Sequence, residues 1–264
     1  MAEMKPDKKS LKKILVVGND TYYQIPIYQR PYQWGKEQCK ELLNDLFENY
    51  EDHGEDDYFC GSLVFIQSDK DNKTDIVDGQ QRLSTFILLA KVLATLYSER
   101  LDPIIQEYLQ ESWSDRHEDG EKKKRKRLDF DLVGSSAKKD FQDALDFFDD
   151  LDTSKGEDSK SNDPSKGKNS YLKNTICLKD YLEKKEIADI NAFIQWLYLK
   201  VNFITITCSD TDMALRIFSV LNARGLALNA TDIFKGELLK KTHRRKRTRR
   251  ACDPLGEFAS KMLG

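Results

Sequence analysis

Three short stretches carry side chains that can handle a charged ligand. The densest is Asp78-Gly79-Gln80-Gln81-Arg82, which packs a carboxylate, a glycine, two amides and a guanidinium into five residues. It lies between a β-branched run, Asp75-Ile76-Val77, and a stretch from Leu83 to Tyr97 in which only Ser84, Thr85, Lys91 and Thr95 are polar. The predicted order is strand, tight turn, buried helix, with the polar residues at the helix N-terminus. Unpaired amides and the positive end of the dipole attract anions there. Gly79 lets the backbone approach a phosphate closely, and Arg82 offers a forked cation. Asp78 can orient a water or hold a magnesium ion beside phosphate oxygens. The same residues admit a reading without a ligand, in which Asp78 as N-cap and Gln81 at N3 form a capping box.

The second stretch is Ile25-Pro26-Ile27-Tyr28-Gln29-Arg30-Pro31-Tyr32-Gln33-Trp34. Aromatics interleaved with Gln and Arg at a strand end can stack on a base and contact phosphate. Alternatively, Tyr32 and Trp34 pack into the core, a reading that Arg30 beside Pro31 does not share. The third stretch runs from Phe218 through Asn222, Arg224, Gly225 and Leu228 to Asp232 and Lys235. Asn222 and Arg224 end one expected helix, and Asp232 and Lys235 begin the next. They either converge on a pocket or serve as ordinary capping residues of a helix–loop–helix.

The elements that must position these residues follow from periodicity. Residues 1–18 read as a basic lead with a short helical pattern. Residues 21–28, 58–67, 75–77 and 201–208 read as strands. The second and third of these are joined by a polar turn at Ser68–Asn72 and pair as a hairpin. Leu42, Leu43, Leu46 and Phe47 form a helical stripe over 36–50. From Asp102 to Asp150 helices are interrupted by a charged loop that includes Lys122 to Arg127. Residues 152–170 hold no large apolar side chain and read as a flexible linker. Helices are expected over 171–184, 186–200 and 210–223, the last with Ala214, Ile217, Phe218 and Leu221 on one face. Gly225 is placed as a C-cap, and Asn229 or Thr231 caps a final helix through Lys240.

Composition narrows the class. The chain has 264 residues, 39% hydrophobic and 33% charged, as expected of a soluble globular protein with polar insertions. No apolar run approaches the roughly 20 residues that span a bilayer, and residues 1–13 lack the apolar core of a signal peptide. The five cysteines include no C-x-x-C pair, and the three histidines have no metal-binding spacing. Reduced thiols in the cytoplasm fit best. Lys+Arg number 43 and Asp+Glu 45, but residues 240–250 hold eight of the bases. The remainder, 35 bases against 45 acids, is too acidic for a general DNA-binding surface.

Together the three stretches resemble the N-terminal domain of GmrSD-type restriction endonucleases, a group of bacterial and archaeal defence proteins. The matching segments are IPIYQRPYQW (25–34), YFCGSLVF (58–65), IVDGQQRLSTF (76–86) and FSVLNARGLALNATDIFKGELL (218–239). The resemblance covers residues 10–240 outside the variable middle. It implies an α+β, ParB/sulfiredoxin-like fold, a small sheet with a buried central helix plus a helical region. On this reading residues 1–110 are the nucleotide-binding core and 111–170 a charged insertion. Residues 171–240 complete the domain, and 241–264 form an atypical basic tail.

The resemblance further implies nucleoside triphosphate binding and hydrolysis with Mg2+, in a system that restricts phage DNA, often modified DNA. An HNH-type nuclease domain or subunit is the implied partner. No His/Asn/His cluster of that kind occurs in the chain, so the nuclease half is expected elsewhere. Carried over by position, Asp78, Gln80, Gln81 and Arg82 are the catalytic candidates, with Asp78 toward the metal. Gln29, Arg30, Gly79, Arg82, Asn222 and Lys235 are the nucleotide-binding candidates. Two alternatives stand beside this: a sensor of NTP or modified DNA that does not hydrolyse, and a ParB-like nuclease. The abrupt change at Thr242–Arg250 reads either as a frameshift or as a basic DNA-binding arm. Oligomeric state, including self-association, is left open.

Overall fold

The computed structural model describes residues 4–16, 22–26, 29–67, 73–113, 127–130, 135–147 and 169–222. Their secondary structure is mixed α+β. The strands are β1 (Met4–Ser10), β2 (Tyr22–Gln24), β3 (Tyr58–Gln67), β4 (Lys73–Asp78), β5 (Leu128–Asp129) and β6 (Val201–Cys208). The helices are α1 (Leu11–Leu15), α2 (Lys36–His53), α3 (Gln80–Leu96), α4 (Pro103–Glu111), α5 (Ser135–Asp146), α6 (Ser170–Lys184), α7 (Ile190–Lys200) and α8 (Thr211–Asn222). The strands form one sheet in the order β1-β6-β3-β4-β2-β5.

β3 and β4 pair antiparallel, as the expected hairpin requires, and β6 lies parallel to β3. The strand from the C-terminal segment therefore sits inside the sheet rather than beside it. β2 pairs parallel with both β4 and β5.

Two strands depart from expectation. Met4–Ser10, read as part of a basic lead, is an edge strand paired antiparallel with β6 from Met4↔Cys208 to Ser10↔Asn202. It has no apolar alternation because its side chains are mostly exposed. Backbone hydrogen bonds hold it, and its lysines and Pro6 discourage another chain from pairing with the edge. β5 is only two residues long, too short for any sequence pattern. Among the described residues the helical part of the lead is α1, whose Leu11, Ile14 and Leu15 are buried. The expected strand over 21–28 is described only as β2. The Ser68–Asn72 turn, the loop up to Lys126 and all but the end of the 152–170 linker lie outside the described residues, as does everything after Asn222.

The main core lies on one sheet face. α2 buries Cys39, Leu42, Leu43, Leu46 and Phe47 against it, at the predicted helical spacing. α3 buries twelve of its 17 residues, because the sheet lies on one side of it and α4, α5 and α6 close the others. Phe86 of α3 meets Phe203 of β6 edge-on, with centroids 5.7 Å apart. A smaller cluster covers the other face, where α8 brings Ala214, Ile217 and Phe218 onto Val64, Ile66, Val77 and Cys208. Leu221, expected on that same helix face, is exposed instead. Among the described residues no helix is long and apolar enough to cross a membrane.

Candidate functional site

The turn from β4 into α3 gathers most of the candidate residues. Asp78 is the last residue of β4, and Gly79 occupies the N-cap of α3 with φ 92°. That left-handed backbone suits only glycine at low strain. A Cβ there would also lie 2.1 Å from Leu63 Cδ2. The fold alone therefore demands Gly79, before any ligand is considered. With no side chain at the cap, no capping hydrogen bond reaches the first-turn amides of this 17-residue helix.

The capping-box alternative is not formed. Asp78 lies one residue too early to cap, and Gln81 turns the other way. Gln81 Oε1 accepts from the backbone amides of Gln33 (2.8 Å) and Trp34 (3.1 Å), and its Nε2 donates to Pro31 O. Gln80 Nε2 donates to Arg30 O, and Gln29 Nε2 donates to Val77 O. Three glutamines thus stitch the Gln29–Trp34 loop to the end of β4 and the start of α3. The two stretches that look separate in the sequence are one bonded unit. Gln80 is 5% exposed, and its Oε1 has no hydrogen-bond partner among the described residues.

A further clamp comes from α6, which sequence reasoning did not connect to the site. Buried Asn174 donates through Nδ2 to Tyr32 Oη (2.9 Å) and to Trp34 O (2.7 Å). Tyr32 Oη also bonds Thr85 Oγ1 at 2.8 Å, and Thr85 donates to Gln81 O. Tyr32 stacks on Tyr171 with centroids 4.2 Å apart. Tyr32 is therefore a core residue, and Trp34 is half-buried against the same core. The core-packing alternative holds for Tyr32, whose ring is buried and stacked, and in part for Trp34. The signal for Asn174 was available: an asparagine among Tyr171, Cys177 and Leu178 on a buried helix face requires partners.

The charged groups are placed differently from one another. Arg82 Nη1 donates to Cys60 O at 2.9 Å and Nη2 to Ser62 O at 2.6 Å, while Nη2 stands 3.9 Å from Asp78 Oδ2. Its partners flank Gly61, φ 107°, where the ladder between β3 and β6 shifts register. An isolated glycine inside a strand pattern marks such a bulge, and this one went unread in the sequence. Burial raises the Asp78 carboxyl above its usual range, against the pull of Arg82, the Gly79 amide and Arg30. Burial also pushes the Cys60 thiol up to about 12 despite Arg82, so it stays protonated. Arg30 projects from the stitched loop and is exposed.

Gln29, Arg30, Asp78, Gly79, Gln80, Gln81 and Arg82 are thus brought together. Asn222 ends α8, on the far face of the sheet, with its side chain outside the described residues. Arg224, Gly225, Asp232 and Lys235 lie wholly outside them. The one carboxylate at this turn matches the way magnesium is usually held, by one or two carboxylates together with substrate phosphates. Asp78 is the residue that would hold it. Chemically, the arrangement offers helix-end amides, an exposed guanidinium and a partly buried carboxylate around one turn.

No curated protein sequence matches the chain. The sequence profile described as the GmrSD restriction endonuclease, N-terminal domain, matches residues 11–239. That span takes in β3, β4, α3 and the stitched loop, and it covers most of the chain. The chain therefore belongs to the GmrSD restriction endonuclease N-terminal domain family.

Proposed function

We propose that this domain binds and hydrolyses a nucleoside triphosphate and thereby gates an HNH-type DNA nuclease of an anti-phage restriction system. The observation that carries the reading is Asp78. A carboxylate whose ionisation burial disfavours is kept at an uncapped helix N-terminus beside an exposed arginine. Groups held against their own solvation preference cluster at functional sites.

The phosphates would lie against the first-turn amides of α3, which supply donors and the positive end of the dipole. Arg30 would neutralise charge at their outer side. Asp78 would orient the attacking water and hold magnesium, which when bound neutralises charge developing on the phosphate oxygens. Phosphoryl transfer is mainly positioning and charge neutralisation, so this set suffices. Of the two amides in the motif, Gln80 alone keeps a side-chain oxygen without a partner among the described residues, and that atom is buried. Gln81 spends its side chain on the loop. Asn222 and Lys235 keep their assignment on the family resemblance alone.

The test is phosphate release by the purified chain with each NTP and magnesium, beside Asp78→Asn and Arg30→Ala. Turnover in the parent that both variants lose supports the reading. Stoichiometric binding without turnover replaces it with the sensor alternative. Metal-dependent nicking of plasmid DNA by the chain alone replaces it with the nuclease alternative.

A further inference from the structure

We propose that the two arginines of this site divide its work. Arg30 is the cation that meets phosphate, and Arg82 is a positioning residue that grips the β3 bulge. The Arg30 half rests on the nucleotide reading above; the Arg82 half stands without it.

The geometry of Arg82 is that of a brace. Its two terminal nitrogens donate to the carbonyls on either side of Gly61. A Cβ at Gly61 would sit 1.8 Å from Nη1, so the guanidinium occupies the space that the missing side chain leaves. A bulge takes strand carbonyls out of ladder register, and a buried carbonyl without a donor is costly. Arg82 supplies both donors from the first turn of α3. It thereby ties the helix N-terminus to the strand that forms one wall of the turn. Turning Arg82 toward a phosphate would strip both carbonyls of their partner. Sequence reading offers Arg82 to phosphate as a forked cation in the first helical turn. The bulge redirects it.

Arg30 is built the opposite way. Its main chain is fixed: its own carbonyl accepts from Gln80, the next carbonyl from Gln81, and the preceding side chain bonds Val77 O. Its side chain is exposed, and its charge reaches Asp78. A cation on a rigid base next to the carboxylate and the helix end is pre-organised for an anion, and little order has to be created on binding.

The test uses the full chain and the fluorescent probes mant-GTP and mant-ATP, with thermal unfolding as a parallel measurement. Arg30→Ala is expected to weaken binding roughly tenfold or more, the loss typical of one charge-assisted hydrogen bond. Its melting temperature should stay within about a degree or two of the parent, as for an exposed side chain. The salt dependence of Kd should also flatten, because one phosphate-facing charge is gone. Arg82→Ala and Gly61→Ala should each lower the melting temperature by several degrees. The double variant should melt no lower than the sum of the two predicts, and in fact higher, because Arg82→Ala removes what the new methyl would strike. Below its transition Arg82→Ala should bind the probe with the parent's salt dependence, which loss of a phosphate contact would not permit.

An Arg82→Ala protein that melts like the parent but loses both binding and salt dependence would overturn the proposal. So would an Arg30→Ala protein that binds like the parent. If the parent binds neither probe, the nucleotide reading and the Arg30 half fail together. The melting cycle on Arg82 and Gly61 then still decides the brace.

Discussion

Gly79→Ala tests how much of the motif is dictated by the fold. Two separate penalties act on the new methyl. The backbone is at φ 92°, where an L-residue other than glycine is strained by about 1–2 kcal/mol. The methyl would lie 2.1 Å from Leu63 Cδ2, whereas carbon atoms rest at about 3.5–4.0 Å. Leu63 must therefore retreat by more than an ångström. It is fully buried in β3, and overpacking of that kind costs about 1–3 kcal/mol. Together the loss is about 2–5 kcal/mol, or roughly 5–15 °C in melting temperature for a domain of this size. The two parts separate in a cycle with Leu63→Ala, which deletes the struck atom at its own cavity cost of about 2–5 kcal/mol. In that background Gly79→Ala should cost only the backbone part, giving a coupling of about 1–3 kcal/mol. Urea denaturation of the four proteins measures it. A Gly79→Ala loss under about 0.5 kcal/mol, or the same loss in both backgrounds, would refute the argument.

Other substitutions follow from the same bonds. Gln81→Ala removes the acceptor for two loop amides and should cost about 2–4 kcal/mol in urea denaturation, before any effect on activity. Asn174→Leu leaves Trp34 O and Tyr32 Oη without their donor and should cost about 1–3 kcal/mol, with faster amide exchange over 29–35. Asp78→Asn should melt above the parent at pH 7. A carboxyl whose folded pKa is raised favours the fold while protonated, and it loses that contribution as pH rises through the folded value. The advantage of the variant should vanish below the usual carboxylate range. A parent more stable than the variant at pH 7 would mean that attraction to Arg82 outweighs burial.

Much of this was legible because hydrophobic periodicity reports burial directly. The stripe at Leu42, Leu43, Leu46 and Phe47 gave α2, and the near-continuous apolar run gave α3 as the central helix. The strand–turn–helix placement of Asp78–Arg82 followed from the same signal. What was not legible depended on partners distant in sequence. β1 exists because β6 offers it a ladder, although its own side chains say nothing of a strand. The destinations of Gln80 and Gln81 lie 47 to 50 residues away. A spacing rule such as the capping box considers only neighbours, so it assigned Gln81 to the nearest orphan amide. The bonds of Arg82 were hidden for the same reason: its partners are the carbonyls of a bulge, and a bulge alters register without altering composition.

The stitching also limits what mutagenesis of this motif can prove. Gln29, Gln80 and Gln81 each hold the loop to the strand end or to α3, Gly79 is needed by the turn, and Arg82 is bonded to β3. Replacing any of these disturbs the geometry first, so lost activity would not mark the residue as catalytic. Asp78 and Arg30 differ. Arg30 fixes the loop through its backbone, which alanine keeps. Asp78 makes no bond to the loop, and burial sets its charge against the fold. These are the two side chains whose removal should leave the bonded frame in place. On the proposed function, the buried carboxylate of Asp78 and the exposed head of Arg30 are the groups left over from the bonded frame to meet a ligand. The chemistry of the site should therefore be assigned from those two positions, with the glutamines read as the frame that aims them.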